Sequence, residues 1–215
     1  MRASFYMLGA LVGKHGYAKV SLPGGCAWGP RPVDLHLKGM EAMGIDIDLD
    51  KGYVIAKADK NLKKSSFKLE PSSVGATVNL LLAAVLRTAE FTIENAAMEP
   101  DVVQLCNVLV KMGADISGIG TDRITVRGVE SLNGVEISND PDRIEVGTFM
   151  IVGVLHPDSE LTLEGCNVDH LGNLPELLSK TGAKVDLDGS TIKVKAPKEL
   201  EAVSVATDVY PGFPT

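Results

Sequence analysis

The sequence repeats itself at an interval of 69 residues, and this repeat constrains the fold more than any other feature. Three similar segments, MGIDIDLDKGYVIAK, MGADISGIGTDRITVRG and TGAKVDLDGSTIKVK, begin at Met43, Met112 and Thr181. The second residue of each is a glycine that follows an amphipathic helical pattern, where a left-handed residue commonly ends a helix. A fixed interval of this kind predicts an architecture of repeated supersecondary units.

Each predicted unit contains two helices and four strands. Two short alternating strands follow each glycine, as in IDIDL and YVIAK, and predict a hairpin. Upstream, an apolar helix and a strand recur, the strand being YAKVSL, FTIENA or LTLEGC. A last strand, SFKLE, GVEIS or AVSVA, leads toward the next unit. We therefore predict an α/β (α+β) fold whose units run helix, strand, helix, strand, strand, strand.

One loop distinguishes the first unit from the other two. The stretch SLPGGCAWGPRP, residues 21–32, places a cysteine among three glycines and three prolines, which rules out a helix or a central strand. Cys26 lies 18 residues before its unit's glycine, whereas Cys166 lies 16 residues before its own. Enlargement of one loop out of three indicates that this loop carries function. The alternative interpretation of the repeat is three stacked units that have only a structural role.

Composition limits the class of protein and its partners. The 215 residues are 45% hydrophobic, enough for a sizeable core in one large or two small domains. No apolar run approaches the length of about 18 residues that a membrane span needs, and the apolar N-terminal segment is predicted to be a helix rather than a signal peptide. Three cysteines indicate a reducing cytoplasm rather than a disulfide framework. The net charge of −7, with scattered Lys and Arg, argues against nucleic acid as a partner.

Five motifs together resemble the UDP-N-acetylglucosamine enolpyruvyl transferase (1-carboxyvinyltransferase) family. They are MRAS, LPGGCAWGPRPVDLH, SVGAT, PDRIE and YPGFPT, which begin at Met1, Leu22, Ser73, Pro141 and Tyr210. The resemblance implies two similar domains, each an inside-out α/β barrel of three repeated units, with the active site between them. On this chain it implies most of the first domain at residues 1–140, with two units and the cysteine loop, and the first unit of the second domain at residues 141–215.

The same resemblance implies functional residues beyond both ends of this chain. Members of the family begin upstream of MRAS with a Lys-Asn pair that helps bind phosphoenolpyruvate, and they continue past FPT with an aspartate thought to act as base. We therefore expect a middle piece that is inactive by itself and whose uncovered strand edges favour self-association. Two alternatives stay open. One is a chain that keeps part of the UDP-sugar site without turnover, and the other is the shikimate-pathway enolpyruvyl transferase, which is not expected to carry the GGC…RPVDLH loop.

The implied reaction transfers enolpyruvyl from phosphoenolpyruvate to the 3-hydroxyl of UDP-N-acetylglucosamine in the bacterial cytoplasm. It is the first committed step of peptidoglycan synthesis, and hence serves cell wall biogenesis, cell shape and cell division. The resemblance implies no cofactor and no metal. It assigns Cys26 as the proton donor that also forms a covalent phosphoenolpyruvate adduct, a role that suits a readily ionised thiol. It assigns Arg31 to the phosphate of phosphoenolpyruvate, which a guanidinium can hold through two parallel hydrogen bonds.

The remaining candidate residues are implied to bind substrate, chiefly the UDP-sugar. The segment PSSVGAT leads into an apolar helix, and free backbone N–H groups at a helix N-terminus attract anions. Ordinary capping is the compatible alternative. Some members have lysine where this chain has Pro71, so the resemblance implies no charge contact at this position. The complete predicted substrate-binding set is Arg2, Arg31, Pro32, Val33, Asp34, Leu35, Pro71, Ser72, Ser73, Val74, Gly75 and Thr215.

Several further residues are predicted to be structural. Cys106 lies in an apolar helical pattern and is assigned to the core, and Cys166 is expected to be inert. His36 is expected at a helix start near the site. Four residues match family positions but are assigned structural or interdomain roles: Glu99, Asp142, Arg143 and Glu145.

Overall fold

The structure, a computed structural model, describes residues 2–25, 29, 32–59, 62–87 and 90–212, with the side chain of Arg2 left undescribed. The chain divides into two compact units, Met1–Ile137 and Ser138–Thr215. The first unit contains two of the sequence repeats and the second contains one. Among the described helices, none has both the length and the apolar character required to cross a bilayer.

The first repeat opens with a 3-10 helix, Arg2–Tyr6, that runs directly into α1, which confirms a helix at the apolar N-terminal segment. Its strands β1, β3 and β2 form an antiparallel sheet in that order. The elements of this repeat are α1 (Met7–His15), β1 (Tyr17–Ser21), α2 (Asp34–Met43), β2 (Asp46–Asp50), β3 (Tyr53–Lys57) and β4 (Ser65–Lys68).

The second and third repeats have the same arrangement. Their sheets have the strand orders β5-β7-β6 and β8-β10-β9, and in the second repeat β4 adds parallel to β5. The second repeat contains α3 (Val74–Ala84), β5 (Phe91–Glu94), α4 (Pro100–Lys111), β6 (Asp115–Ser117) and β7 (Arg123–Arg127). The third contains α5 (Arg143–Val152), β8 (Glu160–Leu163), a 3-10 helix at Val168–His170, α6 (Leu174–Lys180), β9 (Lys184–Asp188) and β10 (Thr191–Lys195).

The three glycines of the repeat end helices as predicted. Gly44, Gly113 and Gly182 have φ values of 92°, 105° and 89°, all in the left-handed region that favours glycine. The backbone N–H of each donates back to a carbonyl in the last turn of its helix. The chain therefore turns in the same way into each hairpin.

The prediction of a sixth element in every repeat is correct only for the first one. The segment SFKLE corresponds to β4, but GVEIS (134–138) and AVSVA (202–206) are not strands in the structure. Alternation alone does not make a strand, because its backbone groups need a neighbouring strand. β4 finds that neighbour in β5 of the following repeat. The described residues offer no such neighbour to 134–138, and Val135 and Ile137 stay exposed there.

The core of the first unit is centred on α3. Most residues of this helix are buried, including Leu80 and Leu81 at 0% exposure. Helix α1 approaches α3 closely because Gly9 and Gly13 face it, and a Cβ at Gly13 would lie 2.4 Å from the carbonyl oxygen of Leu82. The second unit has a separate, smaller core around Met150, Ile192 and Val194.

Candidate functional site

The N-terminus of α3 is formed by the predicted segment 71–75. Ser73 has an extended backbone, and its Oγ accepts a hydrogen bond from the backbone N–H of Ala76 at 3.3 Å, as an N-cap residue does. Thr77 donates from Oγ1 to the carbonyl oxygen of Ser73 at 2.8 Å and accepts from the N–H of Ala97 at 3.1 Å. These bonds fix the first turn, in which Gly75 is buried. Capping is therefore observed, at a helix end that carries positive partial charge.

The segment from Pro32 to Leu35 forms the N-terminus of α2. Val33 precedes the helix without a side-chain cap, and Asp34 is its first residue. The Asp34 carboxylate is exposed and lies 3.5 Å from the Lys38 ammonium one turn later. Pro32 is also exposed, whereas Val33 and Leu35 are half-buried.

A buried contact joins these two helix starts. His36, in the first turn of α2, is 8% exposed, and its Nδ1 lies 2.9 Å from Nδ2 of Asn79, in the second turn of α3. Gly39 on α2 faces Leu80 on α3 so closely that a Cβ at Gly39 would lie 2.6 Å from Leu80 Cδ1. The prediction that His36 lies at a helix start is confirmed. The structure therefore brings the two predicted UDP-sugar segments to the starts of two helices that pack together.

Sequence reasoning missed Asn79. It lies in the run VNLLLAAVL, which the sequence pattern indicates only as an apolar helix. A single amide within an apolar helix was the available signal, because a buried polar side chain requires hydrogen-bond partners. The structure shows Asn79 at 0% exposure with three such partners.

The two cysteines in the described residues are buried. Burial raises the pKa of the Cys106 thiol to about 11, and Cys106 lies in the core as predicted. Burial also raises the pKa of the Cys166 thiol, which is 7% exposed. Thiolates are the reactive form, so both thiols are poor nucleophiles near neutral pH, as predicted for Cys166.

Part of the predicted site lies outside the described residues. This applies to Cys26, Arg31 and Thr215 in full and to the side chain of Arg2, whose backbone begins the first 3-10 helix. The described start of the cysteine loop, Leu22 to Gly25, has no regular secondary structure, in agreement with the loop prediction. The roles assigned to these residues stay predictions.

Four further predicted positions lie at helix starts. Asp142 is the N-cap of α5, and its Oδ1 accepts hydrogen bonds from the N–H groups of Ile144 at 2.8 Å and Glu145 at 3.2 Å. The Arg143 guanidinium lies 5.6 Å from the centre of the Tyr210 ring. Glu99 precedes α4 without a side-chain cap. The contacts of Asp142 and Arg143 fit the structural roles predicted from the sequence, and the roles of Glu99 and Glu145 stay predictions.

A cavity of about 500 Å³ lies elsewhere in the first unit, at the C-terminal ends of α1 and α3. It is lined by Lys14, Arg87, Glu130 and Leu132, among others, and by none of the predicted site residues that the structure describes. The Arg87 guanidinium is committed to the carbonyl oxygens of Gly13 and Lys14, which end α1. Among the described residues, no group of three or more His, Cys, Asp or Glu side chains is arranged to hold a metal ion.

The repeated helices and sheets define the fold of an enolpyruvyl transferase. The enolpyruvyl transferase NikO from Streptomyces tendae aligns with 99% of this chain and 51% of its own, with a TM-score of 0.82 and 26% identity. EPSP synthase from Acinetobacter baumannii shows the same fold, with a TM-score of 0.64 at 19% identity over 93% of this chain and 47% of its own. A family model described as EPSP synthase (3-phosphoshikimate 1-carboxyvinyltransferase) matches residues 1–215, and the chain belongs to this family.

Within the family, the chain resembles one group of transferases. It is 48% identical to the UDP-N-acetylglucosamine 1-carboxyvinyltransferase of Halothermothrix orenii and 45% identical to UDP-N-acetylglucosamine 1-carboxyvinyltransferase 1 of Staphylococcus aureus. Each match covers all 215 residues of this chain and 51% of the relative. The resemblance inferred from the five sequence motifs is thus confirmed. The chain spans about half the length of the curated relatives it matches.

Proposed function

We propose that the protein carrying this chain transfers enolpyruvyl from phosphoenolpyruvate to the 3-hydroxyl of UDP-N-acetylglucosamine. The observation that carries the proposal is the identity of 45–48% across every residue of the chain with proteins named for that activity. The family model alone is described by the shikimate reaction, so it favours 3-phosphoshikimate as the second candidate acceptor. The GGC…RPVDLH loop favours the UDP-sugar.

The geometry of the first unit supports the proposal for the UDP-sugar. A diphosphate requires positive partial charge, and the N-termini of α2 and α3 supply it through backbone N–H groups. Because His36 and Asn79 join these helices close to their starts, one extended ligand can contact both. Pro32 to Leu35 and Ser72 to Gly75 are the proposed contact segments. Arg2, Pro71 and Thr215 are the further proposed contacts.

The proposed chemistry requires two proton movements. The sugar 3-hydroxyl oxygen bonds to C2 of phosphoenolpyruvate and loses its proton, while an acid delivers a proton to the C3 methylene carbon. Loss of a C3 proton then restores the double bond as the C2–O bond to phosphate breaks, and phosphate leaves. Cys26 is the proposed acid; once its proton has been transferred to C3 and the C2–C3 double bond is consumed, its thiolate can bond to C2 in place of the sugar oxygen, which gives the covalent adduct. Arg31 is proposed to hold the phosphate.

The proposed biological setting follows from this reaction. Its product enters peptidoglycan synthesis, which links the protein to cell wall biogenesis, cell shape and the cell division cycle, and places it in the bacterial cytoplasm.

We propose that residues 1–140 belong to the first domain of the transferase and residues 141–215 to the second. We also propose that the 215-residue chain has no turnover by itself and that it self-associates through apolar surface.

The test compares acceptors and thiols in the full-length gene product. Phosphate release with phosphoenolpyruvate is measured with UDP-N-acetylglucosamine and, separately, with 3-phosphoshikimate, and turnover with only the UDP-sugar is expected. Cys26→Ser should lower kcat by roughly 100-fold or more, as loss of a general acid does. The matched control Cys166→Ser, which changes a buried thiol, should keep normal turnover. Turnover with only 3-phosphoshikimate, or an unaffected Cys26→Ser variant, would contradict the proposal.

A further inference from the structure

The side chain of Asn79 connects three elements of the first unit from within the apolar helix α3. Its Oδ1 accepts a hydrogen bond from the backbone N–H of Gly9 on α1 at 2.8 Å. Its Nδ2 donates to the carbonyl oxygen of Phe5, in the first 3-10 helix, at 3.1 Å and lies 2.9 Å from Nδ1 of His36 on α2. One fully buried amide therefore uses both donor hydrogens and its acceptor on different elements.

This network has one consistent assignment of hydrogens. The Gly9 N–H can only donate, so the Asn79 atom that faces it is the oxygen, and the amide orientation is fixed. The second Nδ2 hydrogen then points at His36, whose Nδ1 must accept. A neutral His36 ring therefore carries its proton on Nε2.

Packing around the amide leaves little room for another arrangement. A Cβ at Gly9 would lie 2.2 Å from the backbone oxygen of Asn79 and 2.6 Å from its Oδ1, so α1 can approach α3 this closely only with glycine. The Phe5 ring meets the His36 ring edge to face, with 5.2 Å between centroids and 77° between planes. Hydrogen bonds and ring contacts thus fix the same junction.

Each element at this junction carries a proposed substrate contact a short distance away. Arg2 begins the 3-10 helix that contains Phe5, and Asp34 lies two residues before His36. On α3, Asn79 follows Gly75 by four residues and Ser73 by six, or about 6 to 9 Å along the helix axis. A shift at the junction therefore moves all three proposed binding segments relative to one another.

We propose that Asn79 is a positioning residue, which aligns the starts of the first 3-10 helix, α2 and α3 for the UDP-sugar without contacting it. This inference rests on the proposed function. A purely structural role would affect stability alone, because removing the amide leaves buried partners such as the Gly9 N–H without a hydrogen bond and destabilises the fold. A positioning role predicts a loss in UDP-sugar recognition beyond any loss of stability, since a misplacement of about 1 Å can cost roughly 100-fold in rate.

The kinetic test uses Asn79→Ala and Asn79→Asp in the full-length gene product. The control is Thr92→Val, which removes the partly buried Thr92–Thr125 hydroxyl hydrogen bond of 3.0 Å in the sheet of the second repeat. At temperatures well below each variant's melting temperature, both Asn79 variants should raise KM for the UDP-sugar about tenfold or more, with a smaller change for phosphoenolpyruvate. Thr92→Val should keep wild-type constants.

The outcomes separate this inference from the proposed function. A wild-type protein with no turnover on the UDP-sugar contradicts the proposed function. A wild-type protein that turns over while folded Asn79 variants keep its KM values overturns the positioning role.

The second readout does not depend on activity. Nitrogen NMR of protein labelled at histidine should show His36 with an unprotonated Nδ1 in the wild type and with a proton at Nδ1 in Asn79→Asp, whose carboxylate can only accept when ionised. The control Thr92→Val should keep the wild-type His36 signals. A protonated Nδ1 in the wild-type protein, or an unchanged tautomer in Asn79→Asp, would overturn the network on which the inference stands.

Discussion

Helices α3 and α5 are the first helices of consecutive repeats, yet their surroundings differ. Both begin with a side-chain cap, from Ser73 and Asp142 respectively, and both are predominantly apolar. Helix α3 packs against α1, α2 and α4 and is buried along its length. On α5, Gly147 and Met150 are buried, whereas Ile144, Phe149 and Val152 are 59%, 46% and 50% exposed. Neighbouring helices, rather than hydrophobicity, decide which face is covered.

The same contrast holds for strands at the end of each repeat. β4 pairs with β5 across the boundary between the first two repeats, while the equivalent residues 134–138 remain without regular structure. A repeat unit of this kind needs the next unit to complete it. Exposed apolar side chains on α5 and in 134–138 are the surfaces to which we assign the proposed self-association.

The largest expected effect is seen when a buried side chain of α3 is compared with an exposed side chain of α5. Leu80→Ala on α3 should lower the free energy of unfolding by about 2–5 kcal/mol, because a fully buried leucine leaves a cavity. Phe149→Ala on α5 should change it by less than about 0.5 kcal/mol. Urea unfolding followed by circular dichroism measures both.

Sedimentation of the same two variants sharpens this comparison. Phe149→Ala should lower self-association relative to wild type, whereas Leu80→Ala should not. Comparable stability losses for the two variants would show that α5 is covered as fully as α3.

The next largest effect is the loss of stability when alanine replaces glycine at two close helix contacts. Gly9→Ala should destabilise the protein by about 1–3 kcal/mol, because its Cβ would meet backbone at 2.2 Å and neither helix can yield locally. Gly147→Ala meets only the end of the Leu174 side chain, at 2.9 Å, and a rotamer change relieves that contact. We expect its cost to be under about half that of Gly9→Ala in urea unfolding. Equal costs would contradict the rigid α1–α3 contact.

The smallest expected effect concerns the two buried thiols, whose contributions to the pH dependence of unfolding are compared at alkaline pH. Because the Cys106 pKa is raised to about 11 when folded, the unfolded chain loses this proton first as the pH rises. The contribution of the protonated Cys106 thiol to stability is therefore complete below pH 9 and is lost between pH 9 and about 11. Over that window the free energy of unfolding falls by at most about 1.4 kcal/mol per pH unit. Cys106→Ala should flatten the pH dependence of unfolding in that window more than Cys166→Ala does. Identical pH slopes for the two variants would contradict the deeper burial of Cys106.

The repeat, the element order and the helix ends were predictable because each depends on a local pattern. Alternation predicted the hairpins after Gly44, Gly113 and Gly182, and left-handed glycines end those helices whatever lies beyond them. The family was also predictable, since its loop and helix-start motifs are short and contiguous. The same local reasoning predicted the strands at 134–138 and 202–206, and there it was wrong.

Tertiary structure alone decided which local patterns found a partner. β4 is a strand because β5 lies beside it, and α3 is buried because three helices surround it. The Asn79 network joins residues separated by 43, 70 and 74 positions in the chain. A sequence pattern can mark Asn79 as a polar residue in an apolar helix, but the partners of a buried amide are set by chain folding, since the free energy of its hydrogen bonds depends on distances that no local periodicity contains.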